Sequence, residues 1–169
     1  MRERAAGVFV RRARREDWPR MLELDRELAR FERLTPPDSE EAARLASWIF
    51  DTRRAEALVA ESEGRIEGLA IFYEGMNSFR ARPFLYLEDL VVSGAARGRG
   101  VGEALMAALA REAAARGAPR LELAVLDWNE GALRFYRRLG GRPQTEWLRY
   151  CLDGEALRRL ASQGSPRNP

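Results

Sequence analysis

Phe84-Leu85-Tyr86-Leu87-Glu88-Asp89-Leu90-Val91-Val92 runs through Ser93 to Ala96 into Arg97-Gly98-Arg99-Gly100-Val101-Gly102, and an alanine-rich stretch from Glu103 to Arg116 follows. The first segment is nearly all apolar, as a strand covered on both faces is. The alanine-rich stretch has the composition of a helix. A strand, a glycine-rich arginine loop and a helix start, in that order, form a phosphate-holding device. N–H groups at a helix N-terminus point outward, and the helix dipole favours negative charge there. Glycines let the backbone come close and take positive φ.

Two phosphate-loop classes are excluded. A dinucleotide fingerprint needs a third glycine where Glu103 stands. A nucleoside-triphosphate loop needs a lysine, and all 29 basic residues are arginine. There is no histidine either, so an imidazole base, a Ser-His-Asp triad and a histidine metal site are excluded, and Schiff-base chemistry on lysine goes with the lysines.

Outward from the loop, the pattern is α/β. Val8 to Arg12 reads as a first strand. Asp17 to Arg33 carries Met21, Leu24, Leu28 and Phe31 at helical spacing, with Pro19 in its first turn. Ser39 is expected to cap a second helix to Phe50, with Ala42, Leu45 and Trp48 inward. Ala57 to Ala60 and Ile66 to Tyr73 flank Ser62-Glu63-Gly64, a hairpin signal. Gly75 to Pro83 reads as a loop. Beyond the alanine-rich helix, Leu121, Leu123 and Val125 alternate as a strand, Asn129 to Leu139 is helical, Trp147 to Leu152 reads as a last strand, and Glu155 to Ala161 as a short helix. The expected sheet is antiparallel in its first part and has crossover helices in its second.

The 169 residues, 46% hydrophobic and 33% charged, fit one domain over residues 1–161, with a polar and disordered tail over 162–169. No apolar run approaches the ~18 residues of a membrane span. The N-terminus lacks a secretory h-region, and the single Cys151 suits a reducing cytoplasm. The arginines are interspersed with 26 acids, so the net charge of +3 gives no block for nucleic acid.

Arg97-x-x-Gly100-x-Gly102 after Leu87 to Val92 resembles the acetyl-CoA motif of the GNAT N-acetyltransferases. Trp128-Asn129-Glu130-Gly131-Ala132-Leu133-Arg134-Phe135-Tyr136-Arg137-Arg138-Leu139-Gly140 resembles that family's second signature. Within it, Glu27 to Glu32, Leu85 to Asp89, Asp127 to Glu130 and Trp147 to Arg149 are similar to the diamine acetyltransferases acting on spermidine, spermine or thialysine.

The resemblance implies a GNAT fold: a mixed central sheet with an antiparallel N-terminal part, splayed central strands and flanking helices. It implies acetyl-CoA as co-substrate, no metal, a small polyamine or diamine as acceptor, and a homodimer. The pantetheine arm is expected along the backbone of Leu90, Val91 and Val92. Arg97, Gly98, Arg99, Gly100, Val101, Gly102 and Glu103 are expected at the phosphates, and Asn129, Ala132 and Tyr136 also at the cofactor.

By the same resemblance Tyr136 is the general acid: a phenol of pKa about 10 can give its proton to the leaving sulfur. Glu88 is the proton acceptor for the amine, through water. A regular strand puts Glu88 and Asp89 on opposite faces, and Glu88 is favoured. Phe31, Glu32, Glu88, Glu122 and Trp147 are candidates for the amine pocket; Phe31 and Glu32 also read as an ordinary helix end, and Trp147 as core. Other readings stay open: acetylation of a protein N-terminus, an amino acid or an antibiotic, a non-catalytic acyl-CoA-binding module, or a basic nucleic-acid-binding protein.

Overall fold

The computed structural model describes residues 7–163. In chain order it has β1 (Val8–Arg12), α1 (Trp18–Phe31), α2 (Ser39–Phe50), β2 (Glu56–Ser62), β3 (Arg65–Asn77), β4 (Arg82–Val92), α3 (Val101–Ala115), β5 (Leu121–Leu123), α4 (Glu130–Arg138) and α5 (Gly154–Ser162). The strands form one sheet in sequence order. β1 to β4 pair antiparallel, and β4 pairs with β5 in parallel. This is the mixed α/β sheet with an antiparallel N-terminal part that the sequence implies. The chain divides into two compact units, Met1–Leu126 and Asp127–Pro169.

Strand alternation splits the first unit's apolar residues between two layers. Leu58, Ala60, Ala70, Phe72, Leu85 and Leu87 pack with Val101, Leu105 and Leu109 of α3. Ala57, Val59, Leu69, Ile71 and Val91 pack with Met21 and Leu24 of α1 and Ile49 of α2. Met21 and Leu24 are fully buried, and burial of each contributes roughly 1.5–3 kcal/mol. The β2–β3 hairpin closes through Glu63 and Gly64, both at positive φ (53° and 74°), the backbone of a two-residue turn whose twist matches its strands.

One glycine sets how closely α3 approaches the sheet. A Cβ on Gly68 of β3 would lie 2.6 Å from Val101 Cγ1 and 2.9 Å from Leu105 Cδ1. Its absence lets the first turn of α3 come down onto β3. At the other end of α3, Arg116 holds both carboxylate oxygens of Glu56, at 2.6 and 2.9 Å.

Several expectations need correction. The segment Gly75 to Pro83 is mostly strand: pairing continues through Met76 with Pro83 and Asn77 with Arg82. The Phe84 ring lies over its cross-strand partner Gly75, where a Cβ would come within 2.3 Å of it. That cover compensates for a residue with no side chain of its own to pack. The cap of α2 is Asp38, not Ser39: Asp38 Oδ1 accepts from the Glu40 and Glu41 amides, each at 2.9 Å, and Glu41 returns the bond to the Asp38 amide, a capping box. Ala46 and Ile49, rather than Leu45 and Trp48, are the buried positions beside Ala42. The run Trp147 to Leu152 forms no strand among the described residues; its alternation suits a strand, but a strand also needs an edge to pair with. Ser162 closes α5, and residues 164–169 of the expected tail lie outside the described residues, as does the N-terminal segment before Gly7.

Candidate active site

The register of β4 changes at Glu88. Leu87 pairs with Phe72 and Asp89 pairs with Ile71, the residue next to Phe72, so Glu88 has no counterpart on β3. This is a β-bulge. On the opposite edge, β5 pairs only with Leu85, Tyr86 and Leu87. From Glu88 to Val92, the edge of β4 that faced β5 has no strand partner among the described residues. Glu88, exposed, sits where one ladder slips and the other ends. Backbone groups of Leu90 to Val92 on that open edge can take an added strand-like ligand.

The bulge also reassigns faces. Leu85 and Leu87 look toward α3; past the bulge, Leu90 and Val92 do so instead, while Val91 joins the α1 layer. Asp89 shares the face of Val91 and is therefore turned toward α1. There it meets negative charge. Its carboxyl is pushed up to about 7, first by burial, then by repulsion from Asp25, Glu88 and Glu32. Asp25 is itself raised by burial, with Arg26 pulling weakly the other way. Among the described residues, neither Asp25 nor Asp89 has a hydrogen bond or ion pair.

The phosphate loop has its expected backbone. Gly98 and Gly100 take φ of 75° and 80°, and Gly100 is the left-handed N-cap of α3. The first intrahelical bond runs from the Ala104 amide to the Gly100 carbonyl, 2.9 Å, so the amides of Val101, Gly102 and Glu103 lie ahead of it, at the positive end of the helix dipole. No protein atom lies within 4 Å of a Cβ built on Gly98 or Gly100, so the space over the loop is open. The two arginines already have partners. Arg99 pairs with Glu63 of the β2–β3 turn at 2.6 Å. The Arg97 guanidinium stands 5.8 Å from the ring centroid of Phe31, the last residue of α1.

In the second unit, Asn129 caps α4, its side-chain oxygen accepting from the Ala132 amide at 3.1 Å. Tyr136, half-buried, meets Phe135 edge-on with centroids 5.1 Å apart. Trp147 is 79% exposed and is not core.

The first unit thus gathers Glu32 and Glu88 with Asp89 on one side of β4, and joins Phe31 to Arg97. Glu122, level with Tyr86 in the ladder, is engaged by Arg120 at 2.5 Å. Asp25 is the residue sequence reasoning missed. Its signal was available: it stands one helical turn from both Met21 and Leu28, a carboxylate inside the apolar stripe of α1. A depression of about 540 Å³ bordered by Arg80, Arg82 and Arg120 lies at the start of β4, away from these carboxylates.

Residues 18–141 match the model of the acetyltransferase (GNAT) family. A thialysine N-epsilon-acetyltransferase of Bos taurus is 35% identical, over 94% of this chain and 99% of that protein. An L-ornithine N5-acetyltransferase of Arabidopsis thaliana is 34% identical, over 56% of this chain and 42% of that protein. Among solved structures, an integron cassette protein from V. cholerae superposes with a TM-score of 0.77 at 24% identity, covering 92% of this chain and 98% of that one. The chain belongs to the GNAT family of acetyltransferases. Its near-full-length similarity to the thialysine enzymes sets it beside the diamine acetyltransferases within that family.

Proposed function

We propose that this enzyme transfers the acetyl group of acetyl-CoA to a primary amine of a small diamine or polyamine, by direct attack in a ternary complex. The observation that carries the reading is the unneutralised acidic face of Asp25, Glu32, Glu88 and Asp89 at the point where β4 is released from β5. In a chain where Arg11, Arg12, Arg20, Arg99 and Arg116 each hold a carboxylate, a group of four carboxylates with no ion pair among the described residues, and only Arg26 acting weakly on Asp25, suits a cationic substrate. The names of the thialysine and ornithine enzymes point to the same chemistry.

Acetyl-CoA, when bound, supplies the acetyl group as a thioester. Gly98 to Glu103 and the guanidinium of Arg97 hold its phosphates, Arg99 exchanging Glu63 for phosphate oxygen. The open edge of Leu90 to Val92 orients the pantetheine arm. Asn129 and Ala132 complete the cofactor site. Glu88 draws a proton from the substrate ammonium through water, leaving a nitrogen lone pair for the acyl carbon. Tyr136 gives its phenolic proton to the departing sulfur, the second proton of the nitrogen leaves to solvent as the amide forms, and Tyr136 is reprotonated from solvent. Phe31, Glu32 and Asp89 line the acceptor side; Glu122 and Trp147 are further contacts.

A second reading of the proton acceptor has its own support. Asp89, with a carboxyl near 7, has the proton affinity a base needs at neutral pH. The two are separated by pH–rate profiles. If Glu88 is the base, Glu88→Gln lowers kcat about 10²-fold or more while Asp89→Asn mainly raises the amine KM; if Asp89 is the base, the effects exchange. Tyr136→Phe is expected to lower kcat about 10²–10⁴-fold with acetyl-CoA binding intact.

A panel of spermidine, putrescine, thialysine, ornithine, an aminoglycoside and a peptide amine, read by thiol release, tests the substrate class. Turnover of the peptide or the aminoglycoside alone would refute the diamine reading. The reading includes a cytoplasmic enzyme that needs neither metal nor nucleic acid. It also includes a homodimer joined through the exposed Trp147, Leu148, Tyr150 and Leu152; a monomer by light scattering would contradict that part.

A further inference from the structure

We infer that Asp25 is a positioning residue for the acceptor amine, acting through Asp89: the two carboxylates face the same layer, where acidic groups outnumber the one arginine, and the incoming ammonium takes the place of the proton that Asp89 holds. The inference rests on the acceptor reading above and extends it to a residue on α1.

Its geometric basis is the bulge and the helix stripe together. A regular β4 would turn Asp89 toward α3. The extra residue, Glu88, turns it toward α1, beside Val91. On α1, Asp25 occupies the sheet-facing stripe with Met21, Leu24 and Leu28, where an apolar side chain would pack. Such a position costs stability to keep acidic, because burial disfavours the charged form. Around the pair, α1 contributes Asp25, Glu32 and the Arg26 that acts on Asp25; β4 contributes Glu88; and the β3 neighbour of Asp89 is the apolar Ile71. Carboxylates therefore outnumber the one arginine. Burial first, and then the surrounding carboxylates, disfavour another negative charge here, so Asp89 retains a proton near neutral pH, its carboxyl being pushed up to about 7. An ammonium group binding there substitutes for that proton, which leaves to solvent; no covalent bond changes. Acceptor binding then tightens as pH rises through neutrality.

Asp25→Leu and Asp25→Asn test this. Leu continues the apolar stripe, so the variant should fold and should melt higher than wild type above about pH 7, with the pH-dependent part of the gain vanishing below about pH 4, where the carboxyls are protonated in either state. This readout needs no substrate. With a diamine, the wild-type KM should fall about tenfold per pH unit below about pH 7, and in both variants that limb should move to lower pH while kcat at its plateau changes less than KM. An unaltered pH dependence of melting overturns the pairing. A shifted melting profile with an unmoved KM limb overturns the positioning role. A wild type that turns over no diamine overturns the acceptor reading, and this inference with it, whatever the melting profiles show.

Discussion

The guanidinium of Arg97, in the phosphate loop, lies 5.8 Å from the ring centroid of Phe31, at the end of α1. The contact ties the cofactor side of the sheet to the helix that carries Asp25 and Glu32. Such a stack contributes about 0.5–1 kcal/mol when partly exposed. Phe31→Leu is expected to raise the acetyl-CoA KM about two- to fivefold and to move the amine KM less. Steady-state kinetics with each substrate varied in turn would decide. A change confined to the amine KM would leave Phe31 with its acceptor-side contact alone and no role at the cofactor.

Gly100 stands at φ 80° with open space around its missing Cβ. A Cβ there meets no protein atom within 4 Å, but a valine's backbone is strained by about 1–2 kcal/mol and its side chain extends into the open space over the loop. The acetyl-CoA KM of Gly100→Val should rise about tenfold or more, with a melting temperature only a few degrees lower. An unchanged KM would mean that the phosphates bind elsewhere.

Gly68 makes the complementary case. A methyl group at 2.6 Å from Val101 Cγ1 forces the start of α3 off the sheet. Gly68→Ala should cost about 1–3 kcal/mol in denaturant unfolding and, if the N-terminus of α3 holds the phosphates as proposed, weaken acetyl-CoA binding as well. A fully stable variant with weakened binding would separate the two effects and refute this account.

Arg11 and Asp17 predict the acid response. Arg11 Nη1 and Nη2 donate to Asp17 at 2.6 and 2.9 Å, and the Arg14 amide donates at 2.7 Å. The bond from Arg11 is the main cause that holds the Asp17 carboxyl below the ordinary range, with burial opposing. A carboxyl depressed on folding adds stability above its unfolded value and loses it as pH falls through the folded one. Asp17→Asn should therefore cost about 2–3 kcal/mol at neutral pH, and wild type and variant should converge below about pH 4. Parallel curves down to pH 2 would show that the charge is not what matters.

Much of the scaffold could be read locally. The helical stripe of Met21, Leu24 and Leu28, the Glu63-Gly64 turn and the strand–loop–helix around Gly98 and Gly100 follow from spacing and φ preference within a few residues. The extended hairpin did not: Gly75, Asn77 and Pro83 look like loop residues, and only the opposing strand with the Phe84 ring makes them strand. Trp147 to Leu152 shows the reverse, a strand pattern that forms no strand among the described residues. Asp25 was readable as an acid in an apolar stripe, yet nothing local says which carboxylate it meets.

The sequence by itself determined the glycine loop after β4, the elements from β1 to α4 and the two GNAT signatures, because glycine φ, helix periodicity and motif spacing are local properties. Only the tertiary structure decided which way Asp89 looks. Side chains alternate along a strand with a period of two, so one inserted residue reverses every face beyond it. That insertion is defined by the pairing of Asp89 with Ile71 and of Leu87 with Phe72, a relation between strands that neither segment contains alone.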